Sequence, residues 1–111
     1  MIDAAIDPIT LEVVRNKLDT IADEMEITIL KSSHSAIVKE ALDASAAIFD
    51  ARGQQVAQAA ASPIHLGMII PAVARFVAKF PPETMRDGDV YVLNDPFDGG
   101  THLPEIGRAH V

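Results

Sequence analysis

Between Pro8 and Lys31 the apolar side chains Val14, Leu18, Ile21, Met25 and Ile29 recur at intervals of four, three, four and four residues. That period draws one stripe along a helix, and Arg15, Lys17, Asp19 and Glu24 lie away from it. The start has its own chemistry. Asp7 can accept from the unpaired amides of the first turn, and Pro8 at the first helical position gives up no hydrogen bond. Ser32-Ser33-His34-Ser35 ends the pattern, because small polar side chains compete for the backbone and favour turns.

Downstream, Ala47-Ile48-Phe49 and Gln55-Val56-Ala57-Gln58 flank Asp50-Ala51-Arg52-Gly53, which predicts a β-hairpin over residues 45–60 with Gly53 at positive φ. Ser62-Pro63-Ile64-His65-Leu66-Gly67 reads as a loop. Helical spacing resumes from Met68 to Phe80 through Ile69, Val73, Phe76 and Val77, with Pro71 near enough to the start to be tolerated and Pro81-Pro82 as the stop. Val90-Tyr91-Val92-Leu93, β-branched and aromatic between two turn-forming clusters, predicts a buried strand. The order helix, hairpin, helix, strand predicts an α+β fold in which that strand delivers a glycine-rich loop.

With 49% hydrophobic and 23% charged residues in 111, the chain has the composition and size of one small globular domain with a buried core. A net charge of -7 excludes the basic footprint that nucleic acid requires. The absence of cysteine removes disulfides, thiolate metal sites and cysteine nucleophiles together. The acidic opening cannot serve as a secretory n-region, and every apolar stretch falls short of the roughly 20 residues that span a bilayer. A cytoplasmic protein without a membrane partner is expected.

The densest chemistry follows the predicted strand, in Asn94-Asp95-Pro96-Phe97-Asp98-Gly99-Gly100-Thr101-His102-Leu103-Pro104-Glu105. Acid, amide, hydroxyl and imidazole share one loop there. The two glycines let backbone approach a ligand closely, and carboxylates with imidazole suit a hard or borderline divalent metal. The alternative is a turn in which Asn and Asp cap backbone amides. Elsewhere, Ser33-His34-Ser35 has no third group to orient a nucleophile. No Gly-x-x-x-x-Gly-Lys phosphate loop occurs either.

This loop, with Lys39-Glu40 through Ile48-Phe49-Asp50, Ser62 to Gly67 and the opening Asp7-Pro8-Ile9-Thr10-Leu11-Glu12-Val13, resembles the start of hydantoinase B/oxoprolinase subunits. The resemblance runs in order from residue 7 to 105 and is most specific from Asn94 to Pro104. It makes residues 1–105 the N-terminal part of a hydantoinase B-like domain, a fragment of a larger α/β subunit. The family includes N-methylhydantoinases, 5-oxoprolinases and, more distantly, acetone carboxylases. The resemblance therefore implies an ATP-dependent hydrolase that opens N-methylhydantoin or 5-oxoproline in the full-length subunit, the present chain alone being inactive. ATP would be bound by a hydantoinase A-type subunit or domain in a hetero-oligomer. Ketone carboxylation of the acetone type and a non-catalytic interaction module are the alternatives.

The same resemblance implies Asp95 and His102 as catalytic groups, with Asn94, Gly99, Gly100, Thr101 and His65 on the substrate. A divalent metal (Mn, Fe or Zn) would be held by Asp95, His102, His65, Glu40 and Glu105. The family pattern has Asp at Glu105 and stops at Ile106-Gly107-Arg108-Ala109-His110-Val111. Glu105 to Val111 can be encoded by a common sequencing-adapter read, so residues 106–111 are expected to be a non-native tail and His110 is no site candidate.

Overall fold

The computed structural model describes residues 5–41, 44–59, 63–95, 97 and 107–111, with backbone alone at 63–66 and 107. Helix α1 spans Pro8–Ser32 and α2 Ala36–Ala41. Strands β1 and β2 span Ala47–Phe49 and Gln55–Gln58, helix α3 Pro63–Lys79, a 3₁₀ turn Pro82–Thr84, and strands β3 and β4 Val90–Leu93 and Gly107–His110. The described strands form two ribbons, β1-β2 and β3-β4, so the chain is α+β as expected. It divides into two units, Met1–Ile48 with Val56–Ala61 and Phe49–Gln55 with Ser62–Val111.

In the first unit α1 begins as its sequence dictates. Asp7 Oδ1 accepts from the Ile9 amide at 3.4 Å and Asp7 Oδ2 from Thr10 Oγ1 at 3.2 Å, with Pro8 in the first turn. Lys31 sits in the last turn, where its charge suits the negative end of the helix dipole. Thr20, Thr28 and Ser32 donate their hydroxyls back to the carbonyls of Asn16, Glu24 and Thr28 at 2.9, 2.7 and 2.6 Å, which satisfies polar side chains inside the helix. Beyond it, Ser33 Oγ accepts from the Ser35 amide at 3.1 Å and turns the chain into α2.

The core of this unit is made of alanines. Ala22 of α1 is fully buried with Ala46, Ala57 and Ala59 of the hairpin, and Leu18 and Ile48 pack around them. The Ala59 amide donates to the Ala46 carbonyl at 2.9 Å and extends the hairpin pairing past β2. Small side chains allow a helix to approach a ribbon closely, but they cover little of it. Of the predicted stripe, Leu18 and Ile21 are half-buried, whereas Val14, Met25 and Ile29 are exposed. Length explains this: the 25 residues of α1 extend about 38 Å at 1.5 Å per residue, and a four-residue strand only about 13 Å.

The hairpin turn is closed from both ends. The Asp50 amide donates to the Gln54 carbonyl at 2.9 Å and the Gly53 amide to the Asp50 carbonyl at 3.0 Å, while Asp50 Oδ1 accepts from the amides of Arg52 and Gln54 at 2.9 and 3.0 Å. Gly53 has φ +79°, as predicted, and a Cβ there would lie 3.3 Å from Val77 Cγ2 of α3. Glycine is thus required twice over, by backbone conformation and by close approach.

In the second unit α3 differs from expectation at its start. The stretch from Pro63 to Gly67 is helical, not a loop, and runs without a break into Met68. Pro63 is the physical reason, since a proline at a helix's first position has its φ already set. Pro71 lies within α3 and offers no amide to the Gly67 carbonyl, yet the helix continues to Lys79. Pro81-Pro82 then stops it, and the 3₁₀ turn follows.

β3 pairs antiparallel with β4, placing Val90 opposite His110, Tyr91 opposite Ala109, Val92 opposite Arg108 and Leu93 opposite Gly107. β4 lies within residues 106–111, the stretch expected to be a non-native tail. The bend before β3 is tied down at Gly88, with φ +92°, whose amide donates to the Val111 carbonyl at 2.8 Å. The expectation that β3 is buried does not hold. Val90 and Val92 are 49% and 63% exposed, and only Tyr91 and Leu93, on the alternate face, are half-buried. Alternate side chains of a strand point to opposite faces, and one face of β3 meets Phe80, the residue after α3, through the Phe80–Tyr91 ring pair, 4.6 Å between centroids.

Candidate functional site

The loop that leaves β3 at Asn94 is positioned by the strand's inner face. Tyr91 is its anchor: the ring stacks on Phe80 and the hydroxyl donates to Asp89 Oδ2 at 3.2 Å, an oxygen that also accepts from the Arg86 amide at 2.9 Å. Desolvation, then repulsion from Asp89 and the hydrogen bond to it, push the Tyr91 hydroxyl above its ordinary pKa of 10.0. The phenol is therefore a neutral structural donor at physiological pH.

Asn94 and Asp95 are exposed at the end of β3. Asp95 Oδ1 accepts from the Phe97 amide at 2.9 Å, the two-residue turn that aspartate side chains make with their own backbone. The turn-forming reading of the loop is realised at this residue. It leaves the second carboxylate oxygen as the atom able to take a proton or a cation, and among the described residues Asp95 makes no other side-chain hydrogen bond. Phe97, 98% exposed, presents an apolar ring to solvent beside it. Gly99, Gly100, Thr101, His102 and Glu105 lie outside the described residues.

The remaining candidates are distributed along the chain. His65 lies in the first turns of α3, not in a loop, and its side chain is outside the description. Glu40 is an exposed residue of α2, in the first unit, whereas Asp95 belongs to the second. Among the described residues no three His, Asp or Glu side chains converge as a metal site would need. What favours a metal is the donor chemistry alone, carboxylate with imidazole.

The second unit also holds a feature that sequence patterning did not expose. A cleft of about 110 Å³ opens between the last turns of α3 and the end of β3, lined by Arg75, Phe76, Lys79, Phe80, Val92 and Leu93. The signal was present as two cations one helical turn apart, each followed directly by a phenylalanine. Taking Phe76 and Phe80 only as part of the helical spacing from Met68 to Phe80 obscured it.

Comparison with known proteins fixes the lineage. The family model described as hydantoinase B/oxoprolinase matches residues 7–108. The beta subunit of a caprolactamase from Pseudomonas jessenii is 43% identical over 88% of this chain and 17% of its own length. A 5-oxoprolinase of Saccharomyces cerevisiae is 42% identical over 91% of this chain and 8% of its own. The B subunit of a putative D-/L-hydantoinase from a Pseudomonas species is 35% identical over 92% and 18%. The chain spans between 8% and 18% of the length of these relatives. No solved structure matches it significantly. Among the described residues no helix is long and apolar enough to cross a membrane. The match from residue 7 to residue 108, nearly the whole chain, makes this protein a member of the hydantoinase B/oxoprolinase family.

Proposed function

We propose that the chain is the N-terminal part of a hydantoinase B-type subunit in an ATP-dependent cyclic amide hydrolase of the cytoplasm, opening the ring of N-methylhydantoin or 5-oxoproline. The observation that carries this reading is the family match from residue 7 to 108, with relatives named for oxoproline, caprolactam and hydantoin hydrolysis. Relatives named as subunits support a hetero-oligomer, in which this reading assigns ATP to a hydantoinase A-type partner.

An unactivated amide resists water because its carbonyl is a poor electrophile and its nitrogen a poor leaving group. Phosphoryl transfer from ATP to the carbonyl oxygen would relieve the first difficulty. Water then adds to that carbon, the C–N bond breaks as the nitrogen takes a proton, and a second water splits the acyl phosphate left behind into carboxylate and inorganic phosphate. In this reading Asp95, its rotamer fixed through Oδ1 by the Phe97 amide, holds the proton of the attacking water on its other oxygen. His102 delivers a proton to the ring nitrogen. Asn94, Gly99, Gly100 and Thr101 orient the ring, with His65 against it. Asp95, His102, His65 and Glu105, all of the second unit, are the groups that would hold a divalent metal, which would polarise the carbonyl.

The test is ring opening by the intact subunit with its partner, followed as ADP release with each of hydantoin, 5-oxoproline and caprolactam. ADP release that depends on one of these amides supports the reading. ADP release that depends instead on acetone and bicarbonate would replace it with the carboxylase branch. Turnover of neither kind would leave an interaction module.

A further inference from the structure

We infer that the open flank of α1 is the docking face for a helix from the remainder of the same subunit, one that carries acid, base and acid in a row beside its apolar seam. Spacing draws the face. Leu11, Val14, Leu18, Ile21 and Met25 follow one another at three, four, three and four residues, the period that keeps a seam turned toward a second helix. A strand, which shows alternate residues to one face, does not match it. Lys17, Glu24 and Lys31, all exposed, stand seven residues apart along one border of the seam.

The hairpin leaves this face open. It meets α1 at Ala22, on the border opposite the charged row, and takes Leu18 only in part. Leu11, Val14 and Met25 stay 53%, 49% and 39% exposed. A continuous apolar strip rimmed by charge is the mark of an interface, since soluble proteins seldom leave one bare.

Length and charge say what covers it. The relatives named as subunits are matched over only 17% and 18% of their own length, so in proteins of that kind most of the chain lies outside this segment. A second copy fits poorly. Antiparallel pairing of two α1 helices sets Lys17 against Lys31 and Glu24 against Glu24, and like charges across a seam oppose association. Parallel pairing brings the row against the border of Arg15, Ala22 and Ile29, which holds no acid for the lysines. A helix with acid, base and acid at the same spacing satisfies all three charges. The inference rests on the reading of this chain as the start of a longer subunit, and not on the reaction.

The experiment places a photoreactive diazirine side chain at Val14 or Met25 of the intact subunit, with Thr20 on the far side of α1 as control, and sequences the crosslinked peptides by mass spectrometry. Both seam positions are expected to reach one peptide outside these 111 residues, in a product that migrates as a single chain. That peptide is expected to carry acid, base and acid seven residues apart, and Thr20 to leave it unlabelled. Crosslinks to the partner subunit, to a second copy or within these residues overturn the inference. So do an equal yield from Thr20, a peptide without the charged row, or no crosslink at all. The expected crosslinks in a subunit that opens no amide with its partner would sink the proposed function and leave the docking face standing.

Discussion

Two strands of this protein hand over to loops with aspartate at their first or second residue, and the two loops use that residue differently. After β1, Asp50 is consumed by structure: one carboxylate oxygen takes two amides, its own amide and carbonyl are both bonded, and Gly53 seals the turn against α3. After β3, Asp95 makes a single side-chain bond among the described residues and stays exposed. The same side chain with the same two-residue reach is a closed turn in one place and an open carboxylate in the other. Composition alone does not separate them; the bonds around each do.

The contrast can be broken by substitution. The largest effect is expected at Asp95→Ala, which should lower ring-opening turnover of the intact assembly by about 100-fold or more, in the range of lost acid–base catalysis, while moving the urea midpoint little. An inactive variant with a lowered midpoint would show Asp95 to be structural, like Asp50. Next comes Gly53→Ala, which forces a side chain into positive φ and against Val77; the cost should be about 2 kcal/mol in urea unfolding. Gly88→Ala meets the same backbone strain but open space, and about 1 kcal/mol is expected. If the two glycines cost the same, the approach of Val77 contributes nothing.

The smallest effect tests electrostatics on α1. Glu26 is pushed above its ordinary pKa of 4.5, first by burial and then by Asp23. A raised carboxyl pKa favours the protonated folded form, so its contribution to stability is present below about 4.5 and lost as pH rises through the folded value. Glu26→Gln should therefore raise the unfolding midpoint at pH 7 and leave it unchanged near pH 3. An equal gain at both pH values would assign the effect to packing.

Much of the fold was legible because its signals are local. Asp7-Pro8, Asp50 to Gly53 and Pro81-Pro82 each settle a backbone boundary through their own side chains, and α1, the hairpin and β3 appear where those residues put them. The failures are non-local or ambiguous. Pro63 serves a loop and a first helical turn equally well, so the start of α3 was read as loop. Burial of β3 depends on what covers Val90 and Val92, which the strand itself does not encode. The alanine core was invisible to apolar periodicity, since Ala22, Ala46, Ala57 and Ala59 carry little hydropathy, yet they set where α1 meets the hairpin. Of the candidate site, the loop's anchor and Asp95 are placed by the structure, and the cationic cleft beside it emerged only once α3 and β3 were brought together.

The central claim is that the loop after β3 works in ring opening while the loop after β1 only folds. Turnover of Asp95→Asn and Asp50→Asn, in the intact subunit with its partner, measures it side by side on the amide that the native assembly opens. The account predicts a loss of about 100-fold or more for Asp95→Asn, with near-native turnover per folded molecule for Asp50→Asn. Equal turnover in the two variants, or a loss confined to Asp50→Asn, would contradict it.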